Sequence, residues 1–331
     1  MDTTTLQTVN LTASVPAPSA IPAVKRKRWI WPALLSVALL FSTVILAFHA
    51  YIAWNLARPH IDPLTSNPMK AANLPYENVS FPSITGGEPL QGWYIPGSSK
   101  QTVVFSHGYG GNREEIWVPI YELAHELHRQ NYNVLMFDYG YVQPASKRIM
   151  SGGLQESNEL LGAVEYIKQK KGADKIFIWG FSMGAGTSLQ AALRSDKIDG
   201  MILDSTFLLE PDTLYHNMKQ VVDLPKYPSL PLVRVFFPFL NGVSLQQVPY
   251  LKVKENNYSM PIFFIHGEKD LRALMRSLRT SPPTRSRIPI IYGFCLTTAT
   301  KRFIKPIEKN ICKKNNEFPK PNHVQKKGLQ M

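Results

Sequence analysis

The sequence is poor in cysteine, and what it has lies near the carboxyl end. Cys295 and Cys312 are the two cysteines of the 331-residue chain. The body that precedes them therefore has no disulfide framework, and it suits either an oxidising or a reducing compartment. No spacing of histidine, cysteine and acidic residues typical of a metal site is visible either. We expect a function that needs neither a metal nor an organic cofactor.

The body also lacks an excess of charge of either sign. The formal net charge is +13, but residues 271–331 hold 14 Lys/Arg and 2 Asp/Glu, whereas residues 1–270 hold 23 and 22. Because the body has no overall basic face, we expect no nucleic-acid partner. The composition, 44% hydrophobic and 18% charged, is typical of a globular protein.

The amino-terminal part predicts a membrane anchor. Residues 1–28 are interpreted as a disordered leader that ends in a basic cluster. Residues 29–54 contain no Asp, Glu, Lys or Arg and are long enough to cross a bilayer as one helix. Trp and Tyr residues lie at both ends of this run, as interfacial aromatics do. A cleaved signal peptide is the alternative, but its apolar core is shorter, at roughly 7–15 residues.

The basic cluster at residues 25–28 also predicts the topology. It precedes the apolar run, and the positive-inside rule then keeps the amino terminus in the cytoplasm. We expect a single-pass protein of the cell membrane whose remaining chain faces the outside. A nuclear import signal is the other interpretation of such a cluster, and the adjoining apolar run disfavours it.

Residues 70–270 show continuous apolar strands that alternate with helical patterns, one of them over residues 116–129. This alternation is typical of a mostly parallel sheet flanked by helices on both faces, an α/β fold. The pattern lapses at about 207–259, where several prolines and apolar clusters occur. We interpret this segment as a lid insertion, with ordinary peripheral helices as the alternative.

The run Gly180-Phe181-Ser182-Met183-Gly184 follows a predicted strand and opens a predicted helix. This is the pattern of a nucleophile elbow, a sharp turn that holds the serine hydroxyl out over the sheet edge. Glycines flank the serine because larger residues would clash in so tight a turn. We predict Ser182 as the nucleophile and the two glycines as its supports.

A second glycine-rich motif, HGYGGN at 107–112, follows another predicted strand. In this kind of site, the loop after that strand supplies one backbone N–H of an oxyanion hole, and the residue after the nucleophile supplies the other. We therefore predict the main-chain N–H groups of Tyr109 and Met183 as donors. His107 and Gly108 are predicted to support the loop, because a base must reach the nucleophile's hydroxyl.

A third motif, HGEKD at 266–270, follows a later predicted strand. An acid here comes after the serine in chain order and would orient and charge-balance an imidazole. We predict Asp270 as this acid. A solvated loop aspartate is the alternative, and Asp204, at the end of the preceding strand, is the rival carboxylate.

Together these motifs resemble those of the serine α/β-hydrolases of the esterase, lipase and serine-aminopeptidase type. More narrowly, they resemble the membrane-anchored bacterial hydrolases of the BEM46-like group. The resemblance covers about 76–270 and rests on the HGYGGN, GFSMG, LDSTF and HGEKD motifs in that order. It implies the α/β-hydrolase fold and hydrolysis of a small-molecule carboxylic ester or amide through an acyl-enzyme on Ser182. The serine at the elbow argues against the dehalogenase and epoxide-hydrolase branches, for which the resemblance implies aspartate.

The sequence lacks a histidine where the resemblance implies one, about 25–35 residues after the acid. None occurs between His266 and His323, which lies in a polar stretch flanked by lysines. His323 is therefore the candidate base. The alternative function is that of a catalytically impaired or non-catalytic hydrolase-like membrane protein without the triad histidine.

Residues 271–331 differ from the body in charge, cysteine content and hydrophobic pattern, and the change begins close to Asp270. Our hypothesis is that this basic tail has been read in a shifted frame, so that the native last helix, strand and histidine are absent. A functional basic tail that binds anionic lipid or nucleic acid is the rival. The predicted topology disfavours it, because the tail would lie outside.

Re-reading the nucleotide sequence downstream of codon 270 tests the frame hypothesis. We expect another frame to encode a segment with glycine, histidine and the periodicity of a strand and a helix. If no frame does so, the hypothesis is wrong.

Overall fold

The computed structural model describes residues 29–143, 146–266 and 290–294. These residues form an eight-stranded sheet with the order β1-β2-β4-β3-β5-β6-β7-β8. The pairs β1–β2 and β2–β4 are antiparallel and all others are parallel. The strands are β1 (Glu77–Phe81), β2 (Leu90–Ile95), β3 (Gln101–Ser106), β4 (Asn133–Phe137), β5 (Lys175–Phe181), β6 (Gly200–Asp204), β7 (Ile262–His266) and β8 (Ile290–Phe294).

Eight α-helices accompany the sheet in the same described ranges. They are α1 (Ile30–Leu56), α2 (Pro68–Ala72), α3 (Ile120–Arg129), α4 (Leu154–Lys170), α5 (Met183–Ala192), α6 (Pro211–Val221), α7 (Lys226–Asn241) and α8 (Tyr250–Glu255).

Burial explains the strand patterns. Nearly every residue of β3, β4 and β5 is buried, whereas the edge strand β1 alternates toward its end. Central parallel strands are covered on both faces and so lose the alternation of a half-exposed strand. On one face Val104 and Ile178 pack with Leu160 of α4. On the other face Val103 and Phe105 pack in the cluster that contains residues of α3. The predicted mostly parallel sheet flanked by helices is confirmed.

The chain divides into two compact units, with the boundary between Leu46 and Ala47 inside α1. The first unit holds the amino-terminal part of α1, whose large apolar side chains are exposed. With 27 residues and a mean hydropathy of 2.2, α1 is the one helix in the described part of the chain that is long and apolar enough to cross a membrane. At 1.5 Å per residue it measures about 40 Å, more than the roughly 30 Å hydrocarbon core of a bilayer. The leader at 1–28 lies outside the described residues.

The second unit contains the sheet, the other helices and the last turns of α1. Helices α6, α7 and α8 lie within residues 207–259, which connect β6 to β7. Ala53 and Ala57 of the second unit are fully buried in a cluster with Val233 and Phe237 of α7. The role of 207–259 as a lid stays a prediction.

Two details differ from the sequence-based expectations. The helix predicted from residue 116 begins at Ile120. Pro119 disfavours a helical backbone in the residue before it, and Glu115 has a φ of +36°. In addition, β8 pairs in parallel with β7 inside the segment assigned to the atypical tail. That strand was not predicted, although its run of Ile and Tyr residues suits a strand.

Gly162→Ala tests the packing of α4. In an open helix this change stabilises the protein by about 1 kcal/mol. Here a β-carbon would overlap the carbonyl oxygen of Pro82, a backbone atom that cannot rotate away. We therefore expect the free energy of unfolding to fall by about 1–3 kcal/mol, measured by chemical denaturation in detergent. An increase would contradict this packing.

Candidate active site

The carboxyl ends of the central strands bring the predicted motifs to one edge of the sheet. Ser106 at the end of β3 pairs with Gly180 of β5, and Phe181 of β5 pairs with Asp204 at the end of β6. Strand β7 runs parallel beside β6 and ends at the same edge. The HGYGGN loop and the elbow at Ser182 therefore leave neighbouring strands side by side.

The backbone of Ser182 adopts a conformation that L-residues rarely take. Its φ is +50° and its ψ is −114°, at the junction of β5 and α5. The Ser182 N–H donates to the Asp204 carbonyl oxygen at 2.8 Å. The Ser182 carbonyl oxygen accepts from the N–H groups of Ala185 at 3.1 Å, Gly186 at 3.3 Å and Phe207 at 3.0 Å. These bonds hold a residue whose conformation costs about 1–3 kcal/mol.

The glycines of the elbow are there because no side chain fits. A β-carbon at Gly180 would lie 2.6 Å from the Ala185 Cα, and one at Gly184 would overlap the Ser106 carbonyl oxygen. The Ser106 hydroxyl also donates to the Gly184 carbonyl oxygen at 2.8 Å. The first turn of α5 is thereby fixed against the end of β3.

The HGYGGN loop lies directly against Ser182. A β-carbon at Gly108 would lie 3.4 Å from the Ser182 Cβ, an ordinary van der Waals distance. The Gly108 carbonyl oxygen accepts from the Gly111 N–H at 3.2 Å and from the Tyr141 hydroxyl at 3.2 Å. Because a trans peptide points its N–H away from the preceding C=O, these bonds fix the direction of the Tyr109 N–H.

The two predicted oxyanion donors make no hydrogen bond that would compete with a substrate. Met183 is the first residue of α5, so its N–H has no partner within the helix. Within the described ranges, neither this N–H nor that of Tyr109 has an acceptor. The Tyr109 hydroxyl donates to the Leu56 carbonyl oxygen at 3.2 Å, and burial raises its pKa to about 12.

His107 is occupied by the main chain around it. Its Nδ1 lies 3.0 Å from the Gly108 carbonyl oxygen, and its Nε2 accepts from the Tyr139 N–H at 3.1 Å. This pairing places the proton of a neutral ring on Nδ1. Burial lowers the pKa of His107 and keeps the ring neutral. Neither nitrogen is left for proton transfer to a substrate.

Sequence reasoning missed a buried acid behind the loop. The Glu115 carboxylate accepts from the Gly108 N–H, and its Oε2 would lie 3.3 Å from a β-carbon at Gly108. Burial raises the pKa of Glu115 to about 7, although the Gly108 N–H opposes the rise. No salt bridge compensates this carboxylate among the described residues. In the sequence, Glu115 follows Arg113 and Glu114. A run of three charged residues is typical of a solvated loop, so the pattern gave no sign that Glu115 is buried.

A buried ion pair fixes the base of the same loop. The Arg113 guanidinium donates to the Asp138 carboxylate at 2.6 and 2.9 Å, and the Arg113 N–H donates to it at 2.7 Å. Both side chains are buried. Asp138 follows β4, so this pair ties the HGYGGN loop to the neighbouring strand.

The predicted acid and base, Asp270 and His323, lie outside the described residues and stay predictions. Asp204 is described: its carboxylate accepts from the Ser205 hydroxyl at 3.0 Å, beside the elbow. The region that the structure describes contains no group of three or more histidine, cysteine or acidic residues arranged to hold a metal ion.

Glu115→Gln removes the buried charge and keeps an acceptor for the Gly108 N–H. The folded pKa, about 7, lies above the ordinary value of 4.5, so ionisation of Glu115 opposes folding. That penalty is absent below pH 4.5 and complete above pH 7. Relative to wild type, we expect the variant to gain up to about 3 kcal/mol between pH 5 and pH 8, measured by denaturation in detergent.

Glu88→Gln, which removes an exposed carboxylate, is the control for the loss of one charge. A stability difference between Glu115→Gln and wild type that does not change with pH would contradict the buried charge.

Known proteins share this architecture. A family model described as alpha/beta hydrolase fold matches residues 101–231. Curated relatives include the uncharacterized protein YqkD of Bacillus subtilis, 27% identical over 188 residues (56% of this chain, 60% of that protein). Another is the lysophosphatidylserine lipase ABHD12 of Danio rerio, 28% identical over 187 residues (54% and 46%). The chain matches only about half the length of these curated relatives.

Solved structures agree on the fold. The Pyrococcus furiosus esterase Pf2001 aligns with a TM-score of 0.56 and 19% identity, over 77% of this chain and 95% of that one. The Pyrococcus horikoshii acylaminoacyl peptidase aligns with a TM-score of 0.53 and 17% identity, over 74% and 43%. The narrower resemblance to the BEM46-like group stays a prediction. The family match over residues 101–231, these relatives and the sheet with its elbow together identify an α/β-hydrolase fold.

Proposed function

We propose that this protein is a membrane-anchored serine hydrolase that cleaves a carboxylic ester or amide through an acyl-enzyme on Ser182. The observation that carries the proposal is the backbone of Ser182. It is strained, lies between a buried strand and a helix N-terminus, and has the Gly108 loop against its side chain. Strain of this kind persists only where the surrounding structure enforces it, and it concentrates at functional sites.

The proposed reaction has two halves. The Ser182 Oγ attacks the carbonyl carbon while its proton passes to a histidine, and the leaving alcohol or amine takes that proton as the bond breaks. Water then attacks the acyl-enzyme, and the proton route is reversed. The N–H groups of Tyr109 and Met183 stabilise the negative oxygen that forms in each half, and removing one such donor from an enzyme costs about 10²–10³ in rate.

In this proposal Asp270 orients the histidine, and His323 is the candidate for that histidine. His107 is disfavoured as the base because both its nitrogens are engaged by the main chain. Asp204 stays the rival acid because it ends the strand next to the elbow.

The proposed substrate is the acyl ester of an amphiphilic lipid. One supporting observation is the bond between the Tyr109 hydroxyl and the Leu56 carbonyl oxygen, which puts the end of α1 beside the catalytic loop. A second is that several vertebrate relatives are named lysophosphatidylserine lipases. The apolar α1 supplies the proposed anchor, with the amino terminus in the cytoplasm and the catalytic domain on the outer face.

A non-catalytic hydrolase-like membrane protein is the second candidate. The sequence favours it at one point, because no histidine occurs between His266 and His323. Without a base, only the oxyanion hole and substrate binding would remain to accelerate the reaction.

A fluorophosphonate probe applied to the full chain in its membrane tests the proposal. We expect the wild type to be labelled and Ser182→Ala to be unlabelled, because the probe reacts only with an activated serine. Ser205→Ala is the matched control: Ser205 lies at the end of the adjacent strand and also has a φ of +50°. Its removal should leave labelling intact.

Folded wild-type protein that takes no label would contradict the proposed activity and support the non-catalytic alternative. If the wild type is labelled, His323→Ala tests whether His323 is the base. If His323 is the base, labelling is lost as in Ser182→Ala, since loss of either residue disables a triad to a similar extent.

A further inference from the structure

Helix α7 has apolar side chains on two opposite faces. Leu230, Val233 and Phe237 face inward and are buried with residues of α6 and α1. On the other side, Val235 is 64% exposed and Phe239 is 83% exposed. These two residues lie four apart and so form one stripe along the helix surface. A surface helix of a globular domain normally presents charged and polar residues on that side.

Charged groups do little to interrupt this surface. Lys226 and Arg234 are the only charged residues in the sequence of α7. Lys226, at the first position, donates to the Asp212 carboxylate at 2.8 Å and is thus paired with α6. Tyr227, next to it, is 72% exposed. Aromatic and aliphatic side chains are typical of the face with which a helix rests on the boundary between lipid headgroups and acyl chains.

The far end of α7 is bonded to the end of α1. The Asn241 Nδ2 donates to the Ala53 carbonyl oxygen at 3.2 Å, and the Arg58 Nη1 donates to the Asn241 Oδ1 at 2.5 Å. Ala53 and Ala57 complete the contact, since both are fully buried in the cluster that includes the inner face of α7. All these residues belong to the second unit of the chain.

The same turns of α1 have the features of a membrane boundary. Tyr51 and Trp54 are exposed, and the Arg58 guanidinium lies 3.4 Å from the centroid of the Trp54 ring. Tryptophan, tyrosine and arginine at the end of an apolar helix lie at the headgroup level, where a ring stays in apolar surroundings and a charge reaches water. The end of α7 is therefore attached at the level where α1 would leave a bilayer.

We infer that α7 docks on the lipid surface of the membrane that α1 crosses, with Val235 and Phe239 in the boundary between headgroups and acyl chains. This inference rests on the membrane anchor proposed above. The bilayer is the occupant indicated by the structure because the stripe lies on a helix bonded to the point where α1 leaves the membrane. Since the Tyr109 hydroxyl contacts Leu56 at that same end of α1, the docked helix would bring the catalytic loop to the lipid surface.

Spin-label accessibility in the full chain tests this inference. Phe239→Cys is labelled in a background with Cys295→Ser and Cys312→Ser, and the protein is reconstituted into vesicles of phosphatidylcholine and phosphatidylglycerol. Collisions of the label with oxygen, which concentrates in lipid, are compared with those of a water-soluble nickel chelate. Val37→Cys, in the exposed apolar part of α1, is the reference for lipid. Lys170→Cys is the reference for water, because it ends α4 at the sheet edge opposite the elbow.

We expect the label at 239 to collide several-fold more often with oxygen than with the chelate, as at 37, and the order to be reversed at 170. If 239 behaves like 170 while 37 reports lipid, the anchor stands and the docking of α7 is wrong. If 37 also behaves like 170, the anchor fails and the docking fails with it. Protection of 239 from both reagents would mean a protein occupant, and dipolar broadening between labels would identify a second copy; either overturns the inference. No outcome depends on catalysis, so failure of the serine chemistry is seen separately in the probe experiment.

Discussion

The left-handed backbone of Ser182 is the constraint on which the rest of the site depends. An L-residue holds a φ of +50° only if its neighbours leave it no alternative, and here the bond from its N–H to the Asp204 carbonyl oxygen spans two strands of the sheet. Gly184 allows α5 to lie against Ser106 with no side chain between them. The buried faces of the central strands stabilise this arrangement, because a shift of β5 relative to β3 or β6 would disturb both contacts. The sheet thus serves as the rigid support for one serine.

The loop beside Ser182 is held by charged groups, which are costlier to bury than the apolar side chains of the sheet. Gly108 is bonded through both of its backbone polar groups: its N–H donates to the Glu115 carboxylate, and its carbonyl oxygen accepts from Tyr141. A carboxylate without a compensating cation in the described part of the fold destabilises it when ionised. The Arg113–Asp138 pair at the base of the same loop is satisfied by several hydrogen bonds. We interpret the uncompensated acid as the cost of fixing the His107–Gly108 peptide, which directly precedes the peptide that carries the Tyr109 N–H.

The sequence predicted the features that depend on neighbouring residues, namely the strand and helix pattern and the turn at the elbow. The alternation of apolar strands with helical patterns predicted the mostly parallel sheet, and the glycines of the elbow identify the turn because only glycine fits there. Glu115 and Asp138 were not predicted as site residues, because each has a partner that a linear pattern does not reveal: a backbone N–H in one case and an arginine 25 residues away in the other. The packing of Ala53 against α7 was missed for the same reason, since an alanine in an apolar run carries no sign of a partner 180 residues later. Asp270 and His323 remain predictions from chain order alone.

We propose that Ser182 and the N–H groups of Tyr109 and Met183 act on one carbonyl group: the hydroxyl attacks its carbon, and the two N–H groups bind its oxygen. An experimental structure of the full chain after reaction with an organophosphonate tests it most directly, because the tetrahedral phosphorus mimics the intermediate of acyl transfer. We expect a covalent bond from the Ser182 Oγ to phosphorus and a phosphoryl oxygen about 2.7–3.1 Å from both nitrogens. A phosphonate bonded elsewhere, or a phosphoryl oxygen directed away from the two N–H groups, would contradict it.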